Sequence, residues 1–198
     1  HAGLSSKSSS GAVSIRSLNG GDSGVSGMLK LSSGVATSGS SGSLLMGSGA
    51  AALGKSGSVE MFVGKGGSAG GDITLFSGDS DGDTGGSITM YTGRSSASSS
   101  GSFTLRTLNA GTAGSSGLLT FTSGTASSGS TGAILMETGD ATGDGQGGYL
   151  RLTVGTGNSG IGGDVEIYAG ESASTGGAVF LHAGGSSAGS TGSVEIAT

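Results

Sequence analysis

Hydrophobic residues recur along this chain in pairs separated by one residue, as in Ile88 and Met90 or Phe103 and Leu105. Each pair follows a glycine by two and four positions. These glycines are Gly11, Gly27, Gly42, Gly57, Gly71, Gly86, Gly101, Gly117, Gly132, Gly148, Gly163, Gly177 and Gly192, at intervals of 14 to 16 residues. With each glycine as position zero, position two is always Val, Ile, Leu or Phe, and position four is always Ile, Leu, Met or Phe. Position six is small or slim, as in Thr92, Thr107, Val154 and Ala169. Alternation with a period of two, repeated this regularly, predicts a strand with one buried face.

The rest of each repeat is nearly pure Gly, Ser and Ala, as in "RSSASSS" at 94–100. An antiparallel meander would need these as hairpin loops, where two to five residues are usual, and would leave one apolar sheet face uncovered. A stacked array resolves both difficulties. The pattern therefore predicts an all-β fold: a single-domain parallel β-solenoid over residues 1–198, with ~15 residues per coil and about 13 coils. Strands would stack at about 4.8 Å, giving a rod on the order of 60 Å long. Ala97, Ala173 and Ala188 are expected to point inward on the return legs.

A longer period lies above the first. Residues 14–46 match residues 104–136, and 62–86 align with 153–177, so six coils form a super-repeat of roughly 90 residues. The expected super-repeats run roughly 11–100 and 101–191, with partial coils at both ends. "HAG" at 1–3 matches "HAG" at 182–184, so the sequence opens part-way through a coil and closes within a strand. Neither end carries a polar cap, and uncapped solenoid ends invite edge-to-edge pairing. Either the chain is a piece of a longer array or end-to-end stacking of copies satisfies these edges, and both readings predict a fibre.

Composition narrows the functional classes. The 47 glycines suggest a flexible linker, but proline is absent and only 11% of residues are charged, which argues against a disordered polymer. Eight Lys and Arg residues with a net charge of -5 cannot build a phosphate-tracking surface, so nucleic acid is not an expected partner. No apolar run approaches the roughly 20 residues of a membrane span, and no leader-like segment is present. Cysteine is absent, which removes disulfide and thiolate–metal chemistry.

Catalytic chemistry is not expected. His1 and His182 are far apart, and serine, though abundant, has no His or acid partner at a recurring spacing. "GKGGSAGG" at 64–71 lacks the order of a phosphate-binding loop and reads as a corner. The one metal candidate is "GDSDGDTGG" at 78–86, where Asp79, Asp81 and Asp83 alternate as hard oxygen ligands for calcium often do. It lacks the glycine and closing glutamate of the calcium-loop pattern, and an acidic surface turn is the competing reading. No other cofactor is expected.

The outward strand positions carry the remaining signals. Thr74, Thr89, Thr104 and Thr120 stand at position three of successive repeats, resembling the ice-binding face of insect β-solenoid antifreeze proteins, but the row breaks at Leu135 and Arg151. Position five concentrates rings and a cation: Phe62, Phe76, Tyr91, Arg106, Tyr168 and His182. Exposed aromatics on a strand face suggest an assembly patch or a stacking platform for sugars. No N-x-[ST] sequon exists, whereas the Ser/Thr-rich turns are open to O-glycosylation.

The unit seen in "GSITMYTGRSSASSSGSFTL" and "GGDVEIYAGESASTGGAVFL" resembles the Gly/Ser/Thr-rich arrays of secreted algal and oomycete proteins, which belong to walls, adhesives and flagellar hairs. The resemblance covers nearly the whole chain and brings no functional residues with it. It implies an extracellular or cell-surface structural role. The expected function is a non-enzymatic subunit of an extracellular fibre, assembling with itself end to end and laterally. It would join through uncapped solenoid ends and the aromatic strand face, with glycans as further partners. The alternative is a binding module for ice, carbohydrate or calcium on the same rod.

Overall fold

The structure, a computed structural model, describes residues 10–158 and 160–197. His1 and most of the expected first partial coil lie outside the described residues. The chain divides into two units, His1–Ser100 and Gly101–Thr198.

Among the described residues there is no helix and no β-strand. The expected all-β solenoid is therefore not the fold: no strands pair, and no sheet stacks coil on coil. The physical reason lies in where each repeat returns. A solenoid must lay position zero of one repeat on position zero of the next, about one period later. Here position six approaches the following motif glycine instead, only eight to ten residues on. In the first unit, Cβ atoms built on Gly27, Gly42 and Gly57 would lie 3.4, 3.7 and 3.4 Å from the Cβ atoms of Ser17, Ser33 and Ser48. In the second, Gly117 faces Thr107, Gly132 faces Ser123 and Gly163 faces Val154 in the same way. Each of these Gly/Ser-rich legs is thus a small closed loop that begins and ends at one place. Consecutive apolar segments are joined end to start.

The fifteen-residue period persists in the backbone as one bend per repeat. In the first unit a turn at 22–23 is followed by bends at 37–39, 52–54, 67–69, 81–83 and 96–98. In the second, bends fall at 112–114, 127–129, 143–144, 173–174 and 187–189. Each starts four or five residues before the next motif glycine.

Two devices recur among these bends, and the residue at position nine differs between them; the bends at 22–23, 52–54 and 67–69 show neither. Where position nine is serine, its Oγ accepts backbone N–H groups from the bend. Ser80 takes the Asp83 amide at 3.0 Å, Ser95 takes Ala97 and Ser98 at 3.2 and 2.9 Å, Ser172 takes Ser174 at 3.2 Å, and Ser186 takes Ala188 and Gly189 at 3.3 and 2.8 Å. These are serine turns, in which a hydroxyl stands in for a backbone carbonyl. Three of the loops are also closed by backbone bonds: Gly86 N–H to the Gly78 carbonyl at 2.8 Å, and Gly177 to Gly170 and Gly192 to Gly184, each at 2.9 Å. The second device appears where position nine is Ala36, Ala110, Ala126, Ala141 or Gly157. There the reversal uses a glycine at positive φ: Gly39 (109°), Gly114 (113°), Gly129 (113°), Gly143 (87°) and Gly160 (88°). No Cβ-bearing residue takes positive φ among the described residues.

Between loops the backbone is extended. Arg151 Nε donates to Thr153 Oγ1 at 2.9 Å, and the rings of Phe180 and His182 stack with centroids 6.1 Å apart. Side chains two residues apart meet on an extended chain and not on a helix. Positions two and four are the less exposed face: Leu119 is 45% and Leu29 53% exposed, against 92% for Tyr91 and 95% for Leu45 at outward positions. No described residue is buried, however, so the described residues hold no hydrophobic core. The accessible surface is 19718 Å². A globular chain of this mass exposes about 8,000 Å².

Candidate assembly surface

The apolar pairs, the position-five residues and the serine-closed loops are the three features from which a surface can be built. Phe62, Phe76 and Tyr91 occupy successive repeats of the first unit and are 81, 88 and 92% exposed. Arg106, Tyr168 and His182 occupy the second, all exposed. Of these six, the structure gives His182 a ring partner, Phe180, which stands at position three of the same repeat. No described residue is in a strand, so neither unit presents the strand face expected to carry them. The same holds for Thr74 and Thr89 in the first unit and for Thr104 and Thr120 in the second.

Asp79, Asp81 and Asp83 lie in and beside the serine-closed bend at 81–83. Asp83 Oδ1 accepts from the Thr84 amide at 2.8 Å and lies 3.4 Å from the Thr84 hydroxyl, so this carboxylate is engaged in local turn geometry. No group of three His, Cys, Asp or Glu among the described residues is placed to hold a metal ion. A shallow hollow at Arg16, Ser17, Leu18 and Asn19 is lined by one short run of chain, and so brings no distant groups together. No helix among the described residues is long and apolar enough to cross a membrane.

The serine-turn device has a sequence signal that composition masks. Its signal was present: Ser80, Ser95, Ser172 and Ser186 all stand nine residues after a motif glycine, where other repeats carry Ala or Gly. In so serine-rich a background, a serine at one position attracts no notice until its hydrogen bonds are seen.

These features define a tandem-repeat chain with no core among the described residues and with exposed apolar and aromatic side chains. Comparison with known proteins finds no matching family model, no matching characterised protein and no matching solved structure.

Proposed function

We propose that this chain is a non-enzymatic structural subunit of an extracellular fibre, held together by contacts between copies of itself. One observation carries the reading. Every repeat supplies an apolar pair at positions two and four, and none of the described pairs is buried within the chain. Leaving roughly 11,000 Å² more surface in water than a globular chain of this mass is unfavourable when much of it is apolar. Association between identical repeats covers that surface with surface of the same kind. The low charge favours close approach, and the Gly/Ser-rich loops add little bulk. The resemblance to secreted Gly/Ser/Thr-rich arrays supports the extracellular setting, where Ser and Thr hydroxyls would be open to glycans.

Negative-stain imaging and sedimentation of purified protein over a concentration series test this. Filaments that appear above a threshold concentration are expected. Dispersed monomers at every concentration would sink the proposal.

A further inference from the structure

Two loops at equivalent places in the super-repeats, "SLNGGDSGVSG" at 17–27 and "TLNAGTAGSSG" at 107–117, close in the same way. A Cβ on Gly27 would lie 3.4 Å from the Ser17 Cβ, and one on Gly117 would lie 3.3 Å from the Thr107 Cγ2. Inside the loops, the residue after the asparagine differs. It is Gly20 after Asn19 in the first unit, and Ala110 after Asn109 in the second.

The first loop needs a glycine at this place. A Cβ on Gly20 would stand 2.8 Å from the Gly24 carbonyl oxygen and 3.0 Å from the Val25 carbonyl carbon. The chain folds back here through a tight turn, in which the Gly24 N–H donates to the Gly21 carbonyl at 3.3 Å. The second loop reverses instead on Gly114 at φ 113°, and it accommodates the Ala110 side chain. Asn19 and Gly20 are both exposed, and the Gly20 N–H donates to no backbone carbonyl among the described residues.

We infer that Asn19 is a site of spontaneous covalent modification, attacked by the backbone nitrogen of Gly20, and that Asn109 is its slow counterpart. The bond that forms joins Gly20 N to Asn19 Cγ and closes a succinimide ring. The bond that breaks is Cγ–Nδ2. The Gly20 amide proton passes to hydroxide or water, and the leaving nitrogen takes up a proton and departs as ammonia. Water then opens the ring. Opening at Cγ gives aspartate, whereas opening at the Asn19 backbone carbonyl gives isoaspartate, whose main chain runs through Cβ and Cγ. Water is the only co-reactant.

The loop favours this step at Asn19. Glycine places no β-carbon beside the attacking nitrogen and lets the backbone rotate into the geometry of attack, whereas Ala110 restricts both. Exposure supplies the water that takes the proton and opens the ring. Either product adds a negative charge, and isoaspartate also inserts one main-chain atom into the loop that Gly27 closes onto Ser17. The glycine that the turn requires is therefore the residue that exposes this loop to slow opening. The inference concerns one loop of a single chain, so it stands or falls independently of the fibre reading.

The test incubates the full chain at mildly alkaline pH and follows the peptides containing residues 19 and 109 by mass spectrometry, with fragmentation to separate isoaspartate from aspartate. Asn19 is expected to convert about tenfold or more faster than Asn109. Isoaspartate is among the products, and the rate rises with pH because hydroxide removes the Gly20 proton. Ala110→Gly brings Asn109 close to the rate of Asn19, and Asn19→Gln, whose longer side chain disfavours ring closure, leaves residue 19 intact. Nuclear Overhauser contacts between residues 17 and 27 fade in the isoaspartate fraction. They persist in Asn19→Asp, which carries the charge without the added chain atom. Equal rates at Asn19 and Asn109, or aspartate as the sole product, overturn the inference. So does an intact Asn19 under conditions in which Ala110→Gly makes Asn109 reactive.

Discussion

Gly163 lies so close against Val154 that a Cβ on the glycine would stand 2.7 Å from the valine Cγ1. The same pairing recurs at Gly71 and Val63, at 2.9 Å, and lengthens to between 3.2 and 3.7 Å where serine occupies position six, from Ser77 with Gly86 to Ser33 with Gly42 and Ser123 with Gly132. The motif glycine is thus the closing point of each loop, and the size of the residue at position six sets how strictly glycine is required. A β-branched valine is stiff about χ1 and cannot swing aside freely.

Gly163→Ala is therefore expected to open its loop, at a local cost of about 1–3 kcal/mol, whereas Gly42→Ala is tolerated. Val154→Ser should rescue Gly163→Ala. Nuclear Overhauser contacts between residues 154 and 163 report the closure directly. A double-mutant cycle on the assembly threshold should return a coupling of about 1 kcal/mol. If Gly42→Ala were as damaging as Gly163→Ala, close approach would not be why glycine stands here.

The serine turns make a separate prediction. Ser80→Ala removes the acceptor of the Asp83 amide and loosens the loop that Gly86 closes onto Gly78. A hydrogen bond of this kind contributes about 1 kcal/mol, so amide exchange at Gly86 should quicken by about fivefold. Ser80→Thr retains the hydroxyl and should exchange nearly as wild type. Ala126→Ser is the converse case. Its loop turns on Gly129 at φ 113°, so a new hydroxyl at position nine leaves exchange in that loop almost unchanged.

Much of this local plan was legible in the sequence, and the way repeats combine was not. The glycine spacing matches the spacing of the bends, whereas the alternation at positions two to five predicts strands with one buried face, and no described residue is in a strand or buried. Stacking is a different kind of claim, because it requires position zero of Gly71 to lie on position zero of Gly86, a long-range pairing that alternation cannot specify. The residues that decide against it are small. Ser77 meets Gly86, and Gly86 bonds to Gly78, so the return leg is consumed in closing on its own start. For the candidate surface, the rings at position five were visible as residue types. The serine turns at Ser80, Ser95, Ser172 and Ser186 depend on hydrogen bonds that composition hides.

Positive-φ glycines should be intolerant in a way that other loop glycines are not. Gly129 takes φ 113°, whereas Gly34 has open space around it and no positive φ. Gly129→Ala should cost about 1 kcal/mol and push residue 129 to negative φ, visible as a changed HN–Hα coupling constant. Gly34→Ala should leave the couplings of its neighbours as they are. Equal tolerance at the two sites would mean that the bend at 127–129 does not depend on left-handed backbone.

The absence of a core among the described residues sets the thermodynamics of the isolated chain. For a mass of 18.4 kDa, a fully extended chain exposes about 26,700 Å² and a globular one about 8,000 Å². With 19718 Å² already exposed, unfolding has only about 7,000 Å² left to uncover. Denaturant sensitivity and heat-capacity change both scale with that area, so each should be well under half the value of a globular protein of equal size. Dilute protein should therefore melt without a sharp calorimetric peak. Leu105→Ser, which removes an apolar side chain that is 54% exposed, should leave the monomer's circular dichroism unchanged while raising the assembly threshold. A cooperative transition in the monomer, abolished by Leu105→Ser, would show instead that positions two and four are buried within a single chain.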